Sequence, residues 1–312
     1  MANMTDDCRK VNFDFPKIYL PTVFVFVFVF GLLGNAWGLK YIIINWRKLG
    51  SCKIFALNLC IADLLYLLTL PFLVTYQVKR QQWIFGQPFC KVTRFLFNVN
   101  LYGSIGFITC ISVYRYLGIV HTLKVKGRIK VRHCIGIAAL VWIVVLLQCL
   151  PDMFFPKTCF NKTKCFDTTG KNTTEPYLKY SLTQTVIGFV IPLVIILCCY
   201  GHIAVILAMK KDIGDTRLKL KCLRLVVILA VLFSICYIPI NIFRNLNLMT
   251  RISKDKYGIC KSWYASIYIA KQASDGLACL NSAINPLVYL VNLKRIIEQK
   301  DKKVQIHLNF GL

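Results

Sequence analysis

IYLPTVFVFVFVFGLLGNAWGL, residues 18–39, runs for 22 residues without a charge. A helix needs about 20 mostly apolar residues to cross the hydrocarbon core of a bilayer. The stretch therefore reads as a membrane span, and six more follow it. Ile54–Val78 contains a single charge, Asp63. Phe95–Tyr114, Cys134–Pro151, Tyr180–Met209 and Leu225–Phe243 contain no acidic or basic residue, counting histidine as neutral. Trp263–Leu293 contains Lys271 and Asp275. The expected fold class is an all-α membrane protein, a seven-transmembrane helix bundle. Residues 1–17 are expected to form an extracellular N-terminus and residues 18–293 the bundle. Residues 294–312 should form a cytoplasmic tail. Asn292–Lys303, with Lys294, Arg295, Lys300, Lys302 and Lys303, reads as a short amphipathic eighth helix on the cytoplasmic side.

Composition agrees with the span count. Of 312 residues, 57% are apolar and 17% charged, where a soluble domain carries about 25% charged residues. The formal charge of +26 would by itself suggest a nucleic-acid partner. The bases lie outside long apolar runs, so nucleic acid polymer is excluded in favour of membrane lipid, protein or small-ligand anions. Aromatic residues at 13% exclude disorder.

Three N-x-Ser/Thr triplets orient the chain. Asn3 lies before the first span, and Asn161 and Asn172 lie between the fourth and fifth. With seven spans these segments share one face, which as glycosylation acceptors must be extracellular. The inner side then holds 21 bases against four acids, and the outer side 18 against eight. A positive inner face is ordinary topology; a positive outer face is not, and it favours an anionic ligand. The 17 residues before the first span are too few for an ectodomain, so the ligand is expected in the helical mouth.

Inside the spans, Asp63 lies at mid-membrane depth, where an ionised carboxylate needs partners. Asn35, Asn100, Ser104, Asn281, Ser282 and Asn285 lie at similar depth. Together they read as one internal polar cluster, whose oxygen ligands and single carboxylate would suit an allosteric sodium ion.

Several motifs in chain order carry a family resemblance. They are Gly34-Asn35, Leu59–Asp63, Tyr114-Arg115-Tyr116, Trp142, Pro192 with Tyr200, Phe233–Pro239, and Asn285-Pro286-Leu287-Val288-Tyr289. This pattern resembles the rhodopsin-like (class A) G-protein-coupled receptors. WIFGQPFCK at Trp83, RFLFNVNLYGSIGFITCIS from Arg94, CFDTT at Cys165 and GLACLNSAINP from Gly276 are similar to the metabotropic purinoceptors, the nucleotide receptors. Tyr237, where most class A receptors have Trp, is also similar to that group.

The resemblance implies several roles. Cys90–Cys165 and Cys8–Cys260 would be disulfides closing the outer mouth, with Cys159 left over. Arg115, Tyr200, Phe233, Tyr237, Pro239 and Tyr289 would serve activation and heterotrimeric G-protein contact. Arg94 and Arg244 match basic ligand-binding positions, and Tyr102 matches an aromatic lining residue. A guanidinium fork suits phosphate or carboxylate recognition. Asn98, Asn241, Arg251, Lys271 and Gln272 complete the candidate ligand set. Asp275 departs from the pattern, because the nucleotide receptors place an arginine there. Asp167 would pair with that arginine and must here find another base, Lys271 or Arg244. The implied function is a plasma-membrane receptor for a small anionic ligand, a nucleotide, acting through phospholipase C and calcium. A carboxylate or lipid mediator is the alternative ligand. A channel or transporter is the alternative class, against which no inverted repeat is visible. No metal spacing or nucleophile motif suggests an enzyme.

Overall fold

The computed structural model describes residues 14–47, 49, 51–120, 130–158, 164–209, 213–259 and 261–309. Among them the fold is helical apart from one isolated antiparallel bridge between Thr158 and Cys165. The helices are α1 (Asp14–Ile44), α2 (Lys53–Leu67), α3 (Leu70–Val78), α4 (Gln87–Val120), α5 (Val131–Cys149), α6 (Thr174–Thr185), α7 (Ile191–Met209), α8 (Ile213–Tyr257) and α9 (Trp263–Asn309). Helices α2 and α3 form one span; α6 and α7, joined by a wide-turn segment Val186–Val190, form another. Six spans are long and apolar enough to cross a membrane, and α9 supplies the seventh.

Hydrocarbon offers no partner to a bare N–H or C=O, so each span must satisfy its backbone internally. That constraint makes Val23–Phe30 helical although it consists only of valine and phenylalanine, both strand-favouring types. Its helical period is visible in burial. Phe24 and Val27 face the bundle, while Val25, Phe26, Val29 and Phe30 stay exposed where lipid would lie. Helix α1 packs on α9, α2 and α3; α4 is central and touches α2, α5 and α7; α8 packs against α6, α7 and α9.

Two local irregularities position the outer half. The second span breaks at Leu68 and Thr69 because Pro71 lacks an N–H and its ring crowds the carbonyl one turn back. At the break the Thr69 hydroxyl and N–H both donate to the Tyr66 carbonyl, at 2.7 and 2.8 Å. In the fifth span, Gly188 lies in the wide turn, and a β-carbon there would strike Tyr102 and Gln148. Glycine lets the fifth span close onto the third at the level of Tyr102.

Helix α9 runs unbroken to Asn309, so the helix expected at 292–303 is not delimited as a separate eighth element. No glycine or proline occurs between Leu287 and Asn309 to interrupt it. Asn3, Cys8, Cys159, Asn161 and Cys260 lie outside the described residues, so the Cys8–Cys260 pair and two acceptor sites do too. The Tyr289 side chain is likewise outside the described set. Asn172 is exposed in a short turn before α6.

Gly188→Ala should lower thermal stability by about 1–3 kcal/mol, the usual effect of overpacking. Gly201→Ala, with open space around its β-position, should leave it unchanged or slightly raised. Thermal unfolding of the detergent-solubilised protein checks both.

Candidate functional site

The chain from Cys165 to Thr169 crosses the outer mouth of the bundle as a strap. The Cys90–Cys165 disulfide, expected from the resemblance, ties it to the head of α4 with a Cα–Cα distance of 5.7 Å. Four cations from different places then hold it. Arg94 Nη2 donates to the Cys165 carbonyl at 3.1 Å. Lys157 Nζ donates to the Thr168 carbonyl at 2.5 Å and reaches the Asp167 carbonyl at 3.4 Å. Arg251 donates to the Thr168 hydroxyl at 2.9 Å and the Thr169 carbonyl at 2.8 Å. Lys271 pairs with the Asp167 carboxylate. Backbone carbonyls that a buried loop would leave bare thus find charged donors.

Beneath the strap lies a cavity of about 450 Å³. Eight of the ten candidate ligand residues line it: Arg94, Asn98, Asp167, Arg244, Arg251, Lys271, Gln272 and Asp275. Tyr102 does not, because Arg244 lies over it and donates to its hydroxyl at 2.5 Å. Asn241 does not either. It turns toward the fifth span, accepting from the Thr185 hydroxyl at 3.4 Å and donating to the Tyr237 carbonyl at 2.9 Å. Lys164, Lys254 and Lys261 line the rim and were not singled out by sequence, being exposed loop and helix-end bases. The walls therefore carry seven bases against two carboxylates. Two of those bases keep buried donors without a protein partner, the Nε groups of Arg94 and Arg244. Lys271 and Arg251 are engaged instead. The question of Asp167's partner is answered by Lys271, whose ammonium also donates to Asp275 at 2.7 Å.

Sequence reasoning also missed a network behind the cavity. Asp152 and Lys157 form an ion pair at 2.6 Å with both side chains fully buried. Asp152 also accepts from the Tyr177 hydroxyl at 2.9 Å and from Asn98 Nδ2 at 3.1 Å. Burial pushes the Lys157 ammonium below the ordinary lysine value, and the Asp152 carboxylate beside it opposes the shift. The network ties the ends of the third, fourth and fifth spans to the root of the strap.

Deeper in the bundle the polar cluster is assembled. Asp63 accepts from Asn100 at 2.8 Å and from Asn285 at 2.9 Å, and Ser282 donates to Asn100 at 3.2 Å. Asn35 joins through the Ser282 carbonyl at 2.9 Å. Ser104 and Asn281 are buried at the same level. Amide N–H groups already satisfy the carboxylate in this arrangement, so a sodium ion would compete with them for Asp63. Toward the inner end Tyr200 hydrogen-bonds Ser112, and Arg115 is half-buried. Phe233 stacks on Phe189 with centroids 6.1 Å apart and meets Tyr237 at 4.8 Å. Pro239 lies within α8, which continues through it.

The family model for the 7 transmembrane receptor (rhodopsin family) matches residues 34–289. The chain is 38% identical over 293 residues to purinoceptor 1 of Gallus gallus, covering 93% of this chain and 80% of that protein. It is 38% identical over 287 residues to purinoceptor 1 of Homo sapiens, covering 91% of this chain and 76% of that one. It is 35% identical over 309 residues to purinoceptor 3 of Gallus gallus, covering 96% and 92%.

Removing one partner of the buried pair leaves a charge stranded, so Asp152→Ala should destabilise the protein by about 3–5 kcal/mol. The double change Asp152→Leu with Lys157→Met should recover most of that loss. Thermal unfolding of the three proteins measures it.

Proposed function

This chain belongs to the rhodopsin family of seven-transmembrane receptors, and from that premise we propose that it recognises a small anionic extracellular ligand, a nucleotide, and signals through heterotrimeric G protein. It is a multi-pass plasma-membrane receptor and not an enzyme. The observation that carries the ligand class is the pair of guanidinium groups on Arg94 and Arg244. Both residues line a cavity whose walls are rich in bases, and each keeps a buried Nε without a partner. An unpaired buried donor costs free energy that an incoming acceptor relieves, more so when donor and acceptor are both charged. The volume falls within the roughly 300–1,000 Å³ usual for small-molecule sites. Phe97, Tyr264 and Tyr268 supply apolar faces for a nucleobase. The relatives' name, purinoceptor, supports the same reading.

In this reading residues 1–17 are extracellular, Asn172 is an accessible glycan acceptor, and residues 294–312 face the cytoplasm. Ligand binding shifts an existing equilibrium between closed and open inner faces. Arg115, with Tyr200 released from Ser112, then receives the G protein, and phospholipase C and calcium carry the signal onward.

Arg94→Ala and Arg244→Ala should each lower nucleotide potency about 30-fold or more, since a charge-assisted contact in a closed site is worth about 2 kcal/mol upward. A calcium assay with a panel of nucleotides, dicarboxylates and lipid mediators, at matched surface expression, reads this out. Unchanged potency of the active ligand in both variants would overturn the assignment.

A further inference from the structure

The bases around the cavity are not equivalent, and their pairing gives it a direction. On one side, Arg94 from the third span and Arg244 from the sixth each use one nitrogen on a neutral oxygen, the Cys165 carbonyl and the Tyr102 hydroxyl respectively. Their full positive charges therefore stay uncompensated by any acid in contact, and their Nε groups remain free. On the other side, Lys271 from the seventh span is almost fully buried and shared between two carboxylates, Asp167 of the strap and Asp275 one turn along its own helix. That group of three sums to one negative charge. Arg251, at the outer end of the sixth span, holds only the neutral Thr168 hydroxyl and Thr169 carbonyl and adds a third positive charge on the side of Arg94 and Arg244, but its donors are committed to the strap. The cavity is thus cationic toward the third and sixth spans and carries a net negative charge at the seventh.

The rim lysines do not cancel this direction. Lys164, Lys254 and Lys261 are exposed at the mouth, where water and salt screen them. In the Lys271 group the ammonium is buried and Asp275 is only 17% exposed, so the acidic wall is centred on Asp275, where screening is weaker than at the rim and a like charge brought against it is disfavoured.

We propose that Asp275 is a charge-selectivity determinant: by holding Lys271 together with Asp167 it limits the ligand to one compact anionic group, seated on Arg94 and Arg244. This deepens the nucleotide reading and rests on it. The favoured class is a nucleoside monophosphate, with the uncharged sugar or base turned toward the seventh span, where hydroxyl or amino donors meet carboxylate oxygens. A polyphosphate chain running from the arginine pair across the cavity would bring its added charge against the acidic wall. Discrimination arises from that repulsion as much as from contacts to the favoured ligand.

The test uses the full-length receptor in nanodiscs. Adenosine and uridine mono-, di- and triphosphates (the last in non-hydrolysable form) are compared by ligand-induced thermal shift and competition binding. Phosphate, pyrophosphate and tripolyphosphate are run beside them as bare anions. The wild type should bind the monophosphate about tenfold tighter than the triphosphate, the scale of one removed like-charge contact. Asp275→Asn should shift that ratio about tenfold toward the triphosphate, and Asp167→Asn should do the same by the second carboxylate. Asp275→Glu, which keeps the charge, should retain the wild-type order. A wild type that prefers the triphosphate about tenfold, or a ratio unmoved in both asparagine variants, overturns the proposal. If no nucleotide binds but the bare anions keep the order phosphate first, the nucleotide reading falls and the charge limit stands. If neither series binds, both fall.

Discussion

Cations holding a short strap across the bundle mouth are the interaction on which the outer half of this receptor depends. Residues Cys165–Thr169 lie where a loop would ordinarily leave several carbonyls without water or partner. Arg94, Lys157 and Arg251 reach them from the third span, the root of the loop and the sixth span, and Lys271 of the seventh span pairs with the Asp167 carboxylate. The disulfide fixes one end, and the charges fix the rest. A single segment thereby reports on three spans at once. The strongly basic outer face is thus partly structural: much of its charge holds the strap, and Arg94 and Arg244 each keep one further donor, the Nε, without a protein partner.

The same geometry gives the cavity a route to the core. Arg244 rests on Tyr102, and the Tyr102 ring lies against Gly188, where the fifth span is wound more widely. One residue on, Phe189 stacks on Phe233, which meets Tyr237 above the Asp63 cluster. A ligand that takes over the Arg244 guanidinium alters what Tyr102 is packed against. The contacts below it lie between the fifth and sixth spans. The chain is continuous from ligand wall to aromatic core, through the backbone at Gly188, and its side chains on Arg244, Tyr102, Phe189, Phe233 and Tyr237 are all buried.

Much of this was legible in the sequence. Seven apolar runs fix seven spans because hydrocarbon permits little else, and Val23–Phe30 shows how that solvent overrides local strand preference. Arg94, Arg244, Lys271, Asp167 and Asp275 were also readable, through the resemblance to the nucleotide receptors and the departure from it at Asp275. Tyr102 and Asn241 were expected to line the cavity and do not. Helix face alone cannot show that Arg244 lies over one and that Thr185 draws off the other. Asp152 and Lys157 left no signal: one looked like a helix-end acid and the other like a loop base. They meet only because the strap folds back and Tyr177 and Asn98 close around them. The close approach at Gly188 was equally silent, since the Tyr102 ring it accommodates comes from another span.

The most direct measurement is a structure of the receptor with its activating ligand bound. The account predicts the ligand's anionic group between the Nε atoms of Arg94 and Arg244, with Arg251 still on Thr168 and Thr169 and Lys271 still between Asp167 and Asp275. A ligand anion seated on Lys271 or Arg251, with Arg94 and Arg244 left on the Cys165 carbonyl and the Tyr102 hydroxyl and untouched by it, would contradict the account.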